Sequence, residues 1–368
     1  MCSQSYKAKG KGQKAKAGIS APCNLKPGTC NCHLIHLNLK LLSLTSFWQN
    51  YSTPRPHLYY QKDMIKQFIV YTLLTLAFTN CKKTDNPPVT NFHFYDSMQL
   101  DGYVRSYLLN LPPDYNDSNN FPLVIALHGL AGSASQMEQD YGLTTKSNSA
   151  GFILVYPEGA RSDGILGIRT WNAGNCCDFA MEHNVDDVHF ISQLIQKLTS
   201  TYKINPKRIY VTGMSNGAML TYRLACELST QLAAIAPVSG TLLTKQPCTP
   251  VREVPVLHIH SAVDTKVPYA GGFGLANYYF PPVDSTLRVW AGINKCNTTP
   301  QLITEGNLYT QTQYMNCSPN TTVQLYLTQD GGHSWPGGLP ARPNADTPSA
   351  SFSATDLIWN FFSQYELP

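Results

Sequence analysis

Five continuous apolar runs constrain this chain most: Pro122–His128, Phe152–Tyr156, Arg208–Thr212, Ala233–Val238 and Val254–His260. None alternates between apolar and polar side chains. Runs of this kind suit strands covered on both faces, as in a mainly parallel sheet. Tyr103–Leu109 does alternate and reads as an antiparallel outer strand. Between the runs lie helical patterns over Val188–Tyr202, Met219–Leu228, Val283–Ile293 and Ser351–Phe362. In the first of these, Val188, Ile191, Ile195 and Leu198 share one face, and Asp186 or Asp187 is placed to cap the start. Strands alternating with helices predict an α/β domain, a mainly parallel doubly wound sheet with helices on both faces. With 43% hydrophobic and 14% charged residues in 368, the chain has material for a large core and is not a disordered polymer.

Charge divides the sequence. Residues 1–63 hold nine Lys or Arg against one acid, whereas the rest holds 18 basic and 22 acidic side chains. The main body is thus mildly acidic and offers no broad footprint for nucleic acid. Residues 1–63 read poorly as a domain and are expected to be a disordered extension upstream of the true start at Met64. Within them Cys23, Cys30, Cys32, His33 and His36 fit no standard paired-ligand spacing, so no metal is expected there. From Met64, one Lys leads into an apolar run of about 13 residues ending near Cys81, the layout of a secretory signal over 64–80. The run is shorter than the ~20 residues a membrane-crossing helix needs. Cys81 resembles the lipidated cysteine of bacterial lipoproteins, although Phe78 and Asn80 depart from the usual pattern. A polar linker over 81–91, with Pro87-Pro88, then leads to the domain expected at 92–368. The expected location is secreted or on the cell surface, with contact to a membrane only through a lipid on Cys81.

Gly213-Met214-Ser215-Asn216-Gly217 lies between an apolar strand and a helical pattern. A strand-to-helix turn this tight strains the serine backbone and lifts its hydroxyl clear of the sheet. A serine needs a base and donors for an oxyanion. His128-Gly129-Leu130 follows an early strand, which makes the backbone N–H groups of Leu130 and Asn216 the candidate donors and leaves His128 a structural role. Asp264 follows a later strand, and His333 sits in the glycine-rich Gly331-Gly332-His333-Ser334-Trp335-Pro336-Gly337-Gly338. This gives the chain order Ser…Asp…His. His258 and His260 stand too close to Asp264 to supply an independent third member. His183 and His189 precede the serine.

These motifs, with Trp171-Asn172-Ala173-Gly174-Asn175-Cys176-Cys177, resemble the polyhydroxybutyrate depolymerase and feruloyl esterase family of secreted α/β-hydrolases. The resemblance runs from about Phe94 to the C-terminus. It implies Ser215 as nucleophile, His333 as base, Asp264 as orienting acid, and no metal or organic cofactor. Ala131 replaces a glycine often found in the oxyanion loop.

Six cysteines, Cys176, Cys177, Cys226, Cys248, Cys296 and Cys317, suit an oxidising compartment. The expected bonds join Cys296 to Cys317, one of Cys176 and Cys177 to Cys226, and the other to Cys248. Aromatic residues crowd the motif loops, and Trp171 and Trp335 are the expected substrate walls. The expected partner is an ester, polysaccharide-linked or polymeric. A feruloyl-type ester of plant cell wall is preferred to a polyester because no polymer-binding module is evident. A peptidase and a non-catalytic binding protein on the same fold are the rivals.

Overall fold

The computed structural model describes residues 91–118 and 120–368. The expected extension, signal segment and Cys81, and all but the last residue of the expected linker, lie outside the described residues. Fourteen strands are present among these: β1 His93–Leu100, β2 Tyr103–Asn110, β3 Phe121–Leu127, β4 Ile153–Pro157, β5 Ala160–Arg161, β6 Arg169–Thr170, β7 Ile204–Met214, β8 Ala234–Val238, β9 Val256–Ser261, β10 Gly272–Phe273, β11 Tyr279–Phe280, β12 Pro300–Glu305, β13 Tyr309–Tyr314 and β14 Val323–Thr328. Ten of them form one sheet in the order β1-β2-β4-β3-β7-β8-β9-β14-β13-β12. Its six central strands, β4 to β14, pair in parallel, and antiparallel strands close both edges. β2 is antiparallel, but β1 pairs on its outer side, so β2 is one place in from the edge.

The apolar runs are covered twice. Along β3, Leu123, Ile125 and Leu127 face one core, and Val124 and Ala126 face the other. The first core is roofed by helices at Asp187–Thr201, Asn216–Glu227 and Val283–Ile293. The second is roofed by Ala134–Tyr141 and Ala354–Phe362. Asp186 caps the long helix by accepting from the His189 N–H. The architecture is the α/β-hydrolase fold. No helix among the described residues is long and apolar enough to cross a membrane.

Cys296 and Cys317 are bonded as expected, but the other four cysteines pair differently. Cys226 bonds Cys248, and Cys176 bonds its neighbour Cys177. Cys226, near the end of a helix, comes within 5.1 Å (Cα to Cα) of Cys248, whereas Cys176 and Cys177 are buried in a separate cluster with Ala173, Met219 and Phe280.

Candidate active site

Parallel strands deliver their loops to one end of the sheet, and ligands bind there in open α/β sheets. Leu130 follows β3, Ser215 follows β7, Asp264 follows β9 and His333 follows β14. Four segments far apart in sequence thus meet at the carboxyl ends of near-neighbour strands.

Ser215 takes φ 56° and ψ −118° between β7 and the helix at Asn216–Glu227. This is the strained region expected of the turn. Two glycines make the turn possible. A Cβ on Gly213 would stand 2.6 Å from the Gly217 backbone, and one on Gly217 would collide with the Leu127 carbonyl oxygen.

The hydroxyl of Ser215 lies 2.8 Å from His333 Nε2, and His333 Nδ1 lies 2.7 Å from Asp264 Oδ2. Asp264 Oδ1 accepts the N–H groups of Lys266 and Val267 at 2.8 and 2.9 Å. Burial pushes the Asp264 carboxyl up, but the His333 imidazole, His260 and the Val267 N–H outweigh it and hold the group below the usual carboxylate range. Ionised Asp264 therefore faces Nδ1, which must carry a proton, and Nε2 is left to accept from the serine.

No hydrogen bond within the described residues occupies the N–H of Leu130 or Asn216. The loop carrying Leu130 is clamped. Ala131 donates to the Arg169 carbonyl at 2.9 Å, and the Trp171 indole donates to the His128 carbonyl at 2.9 Å. His128 accepts from the Gly159 N–H at Nε2 and reaches the Gly129 carbonyl through Nδ1. Both ring nitrogens are committed, and burial lowers its pKa to about 4, so it is a neutral brace.

Trp171 is not a substrate wall. It is fully buried and does not line the cavity beside Ser215. Its backbone exchanges two hydrogen bonds with the Asn216 side chain, at 2.7 and 2.9 Å, which ties β6 to the turn after the serine. The motif around Trp171 was visible in sequence; its inward orientation was not. Trp335 does line the cavity, stacked on Tyr141 with ring centroids 4.7 Å apart.

That cavity holds about 240 Å³ and is floored by Leu130, Met214, Tyr141 and Trp335. It is smaller than the ~300–1,000 Å³ typical of sites for drug-sized ligands. Its far wall is Leu339–Asp346, a stretch with no helix or strand. Asp346 accepts the His333 N–H at 2.7 Å, and Arg342 reaches the Leu130 carbonyl at 3.4 Å. Neither residue carried a sequence signal.

Residues 105–267 match the family model described as Esterase PHB depolymerase. Feruloyl esterase B of Piromyces equi is 29% identical over 272 residues, covering 72% of this chain and 46% of that protein. A bifunctional acetylxylan esterase/xylanase of Neocallimastix patriciarum is 29% identical over 253 residues, 68% of this chain and 32% of that protein. The chain thus spans less than half the length of either relative. The acetyl xylan esterase from Aspergillus awamori superposes with a TM-score of 0.53 at 16% identity, over 74% of this chain and 99% of that one, a likeness of fold. In its motifs, site geometry and these matches, the chain is similar to esterases of the polyhydroxybutyrate depolymerase and feruloyl esterase kind.

Proposed function

We propose that residues 92–368 form a serine carboxylic-ester hydrolase. The unbroken hydrogen-bond chain from Ser215 through His333 to Asp264 carries this reading. Ser215 Oγ attacks the ester carbonyl as His333 Nε2 takes its proton. Asp264 steadies the imidazolium, and the Leu130 and Asn216 N–H groups receive the negative oxygen of the tetrahedral intermediate. His333 returns the proton to the leaving alcohol, which departs and leaves the acyl group on Ser215. Water, deprotonated by His333, then attacks that acyl group and frees the carboxylic acid.

The substrate we assign is a feruloyl-type ester of plant cell-wall polysaccharide. Two observations support it: the relatives named feruloyl esterase and acetylxylan esterase, and an aromatic-walled cavity sized for a single acyl group. Export fits the three disulfides and the signal-like segment at 64–80; a lipid on Cys81 would keep the enzyme at the cell surface.

A panel of methyl ferulate, short-chain nitrophenyl esters, acetylated xylan and polyhydroxybutyrate tests the reading, with Ser215→Ala as control. Methyl ferulate is expected to be turned over fastest and Ser215→Ala to be inert yet folded. Polyhydroxybutyrate as the best substrate would replace the assignment with a polyester depolymerase. Wild type inert towards every ester would favour a binding protein.

A further inference from the structure

Behind the acid of this site lies a buried row of three side chains. The Tyr222 hydroxyl is 2.7 Å from His258 Nδ1, His258 Nε2 is 3.1 Å from His260 Nδ1, and His260 Nε2 is 2.8 Å from the Val267 carbonyl oxygen. Tyr222 and His258 are fully buried, and His260 is 1% exposed. His260 Nε2 also lies 3.5 Å from Asp264 Oδ2, the oxygen that meets His333.

The proton positions follow by elimination. A carbonyl oxygen only accepts, so His260 Nε2 carries a hydrogen. Burial keeps the ring neutral, so its Nδ1 is an acceptor, and His258 Nε2 must donate to it. His258, neutral for the same reason, then accepts at Nδ1 from the Tyr222 hydroxyl. Every donor in the row points the same way, and the last N–H ends at the turn of Asp264 and Val267. Such aligned bonds polarise one another.

We propose that Tyr222, His258 and His260 are positioning residues that brace the catalytic acid. The row grips the Asp264–Val267 turn from the core side while the Lys266 and Val267 N–H groups grip the carboxylate from within the turn. It supplies an oriented N–H without a net charge. The inference rests on the assignment of Asp264 as orienting acid. The titratable groups facing His260 are His258, Asp264 and His333, with the Tyr269 ring 6.0 Å away, centroid to centroid; Tyr222 faces His258.

The test measures kcat, KM and the pH profile of kcat/KM on a nitrophenyl ester for His260→Phe, His260→Gln and Tyr222→Phe, with melting followed by circular dichroism. A carboxylate displaced by even a fraction of an ångström favours the protonated imidazole less and misplaces the base. His260→Phe is expected to lower kcat about 10–100-fold, leave KM within about twofold, and move the acid limb of kcat/KM to lower pH. His260→Gln, whose amide can still donate to Val267, restores the limb. Tyr222→Phe shifts it the same way by less. A lowered melting temperature with kcat and acid limb unchanged in all three variants would reduce the row to core packing and overturn the proposal. Should His260→Phe fail to fold, Tyr222→Phe, which removes one oxygen atom, decides alone. Asp264→Asn separates the two readings: wild-type turnover in that variant would remove the orienting acid itself, whatever the row does.

Discussion

Replacing Arg105 by methionine strikes a charge pair that the fold has sealed from water. Asp187 has no exposed surface and accepts from Arg105 Nη2 at 2.6 Å and from the Asn172 N–H at 2.7 Å. Arg105 is 4% exposed, its guanidinium 3.9 Å from the centre of the Phe190 ring. Methionine keeps the apolar contact with Phe190 and removes the charge. The carboxylate is left desolvated with one donor, and breaking a buried pair from one side costs about 3–5 kcal/mol. At roughly 2–4 °C per kcal/mol for domains approaching this size, the melting temperature should fall by roughly 6–20 °C. Acid should repair part of the loss. Burial already raises the Asp187 pKa despite Arg105, so without the arginine the folded state binds a proton that the unfolded state at the same pH does not, and stability rises as pH falls towards the acidic range. The double variant Arg105→Met/Asp187→Leu should recover most of the deficit, because no charge remains to be satisfied. Thermal melts of the three proteins at pH 7 and pH 5 measure this. A single variant melting within about 3 °C of wild type, or a double variant no better than the single, would mean that the buried pair contributes little to the fold.

Three other outcomes follow from the same geometry. Trp171→Phe removes the indole donor from the His128 carbonyl; it should cost about 1–3 kcal/mol and lower kcat on a small ester, with methyl ferulate steady-state kinetics as the readout. His128 is neutral in the fold, with a pKa lowered to about 4 by burial, whereas the unfolded chain protonates it near 6.5. Wild type thus loses about 1.4 kcal/mol per pH unit from this residue between those values as pH falls, and urea unfolding of His128→Gln should show a slope shallower by that amount. Cys226→Ala/Cys248→Ala opens a loop of sequence separation 22; the entropic cost is about 3 kcal/mol, visible as a lower urea midpoint, with the site distances and hence kcat on a small ester little changed.

Legibility in the sequence followed the reach of the interaction. The five apolar runs named strands because each is covered on both faces, a property written in consecutive residues. Ser215 was legible because its turn needs glycines two residues either side, Asp264 because it follows such a strand, and His333 because it sits in a glycine-rich loop late in the chain. The long helix announced itself by its apolar face and Asp186. Where position depends on a distant partner, the signal was absent. Whether Trp171 faces the cavity or the core is decided by the His128 carbonyl, 43 residues away. Adjacent cysteines give no hint that they bond each other. The two-residue strands β5, β6, β10 and β11 are too short for any period to show. Tyr222 stands on a helix and His258 and His260 on β9, and only their shared row gives them a direction.

The far wall of the cavity, Leu339–Asp346, has an implication for how a site of this kind diversifies. It owes its course to a few anchor points, chiefly the Leu339 N–H on the Asp140 carbonyl and Asp346 on the His333 backbone, and not to a ladder of strand bonds. Insertions or exchanges between those anchors would reshape the cavity while the serine, its base and the sheet beneath stay in register. Selectivity and chemistry are thereby written in separable stretches of chain, so one can drift without the other.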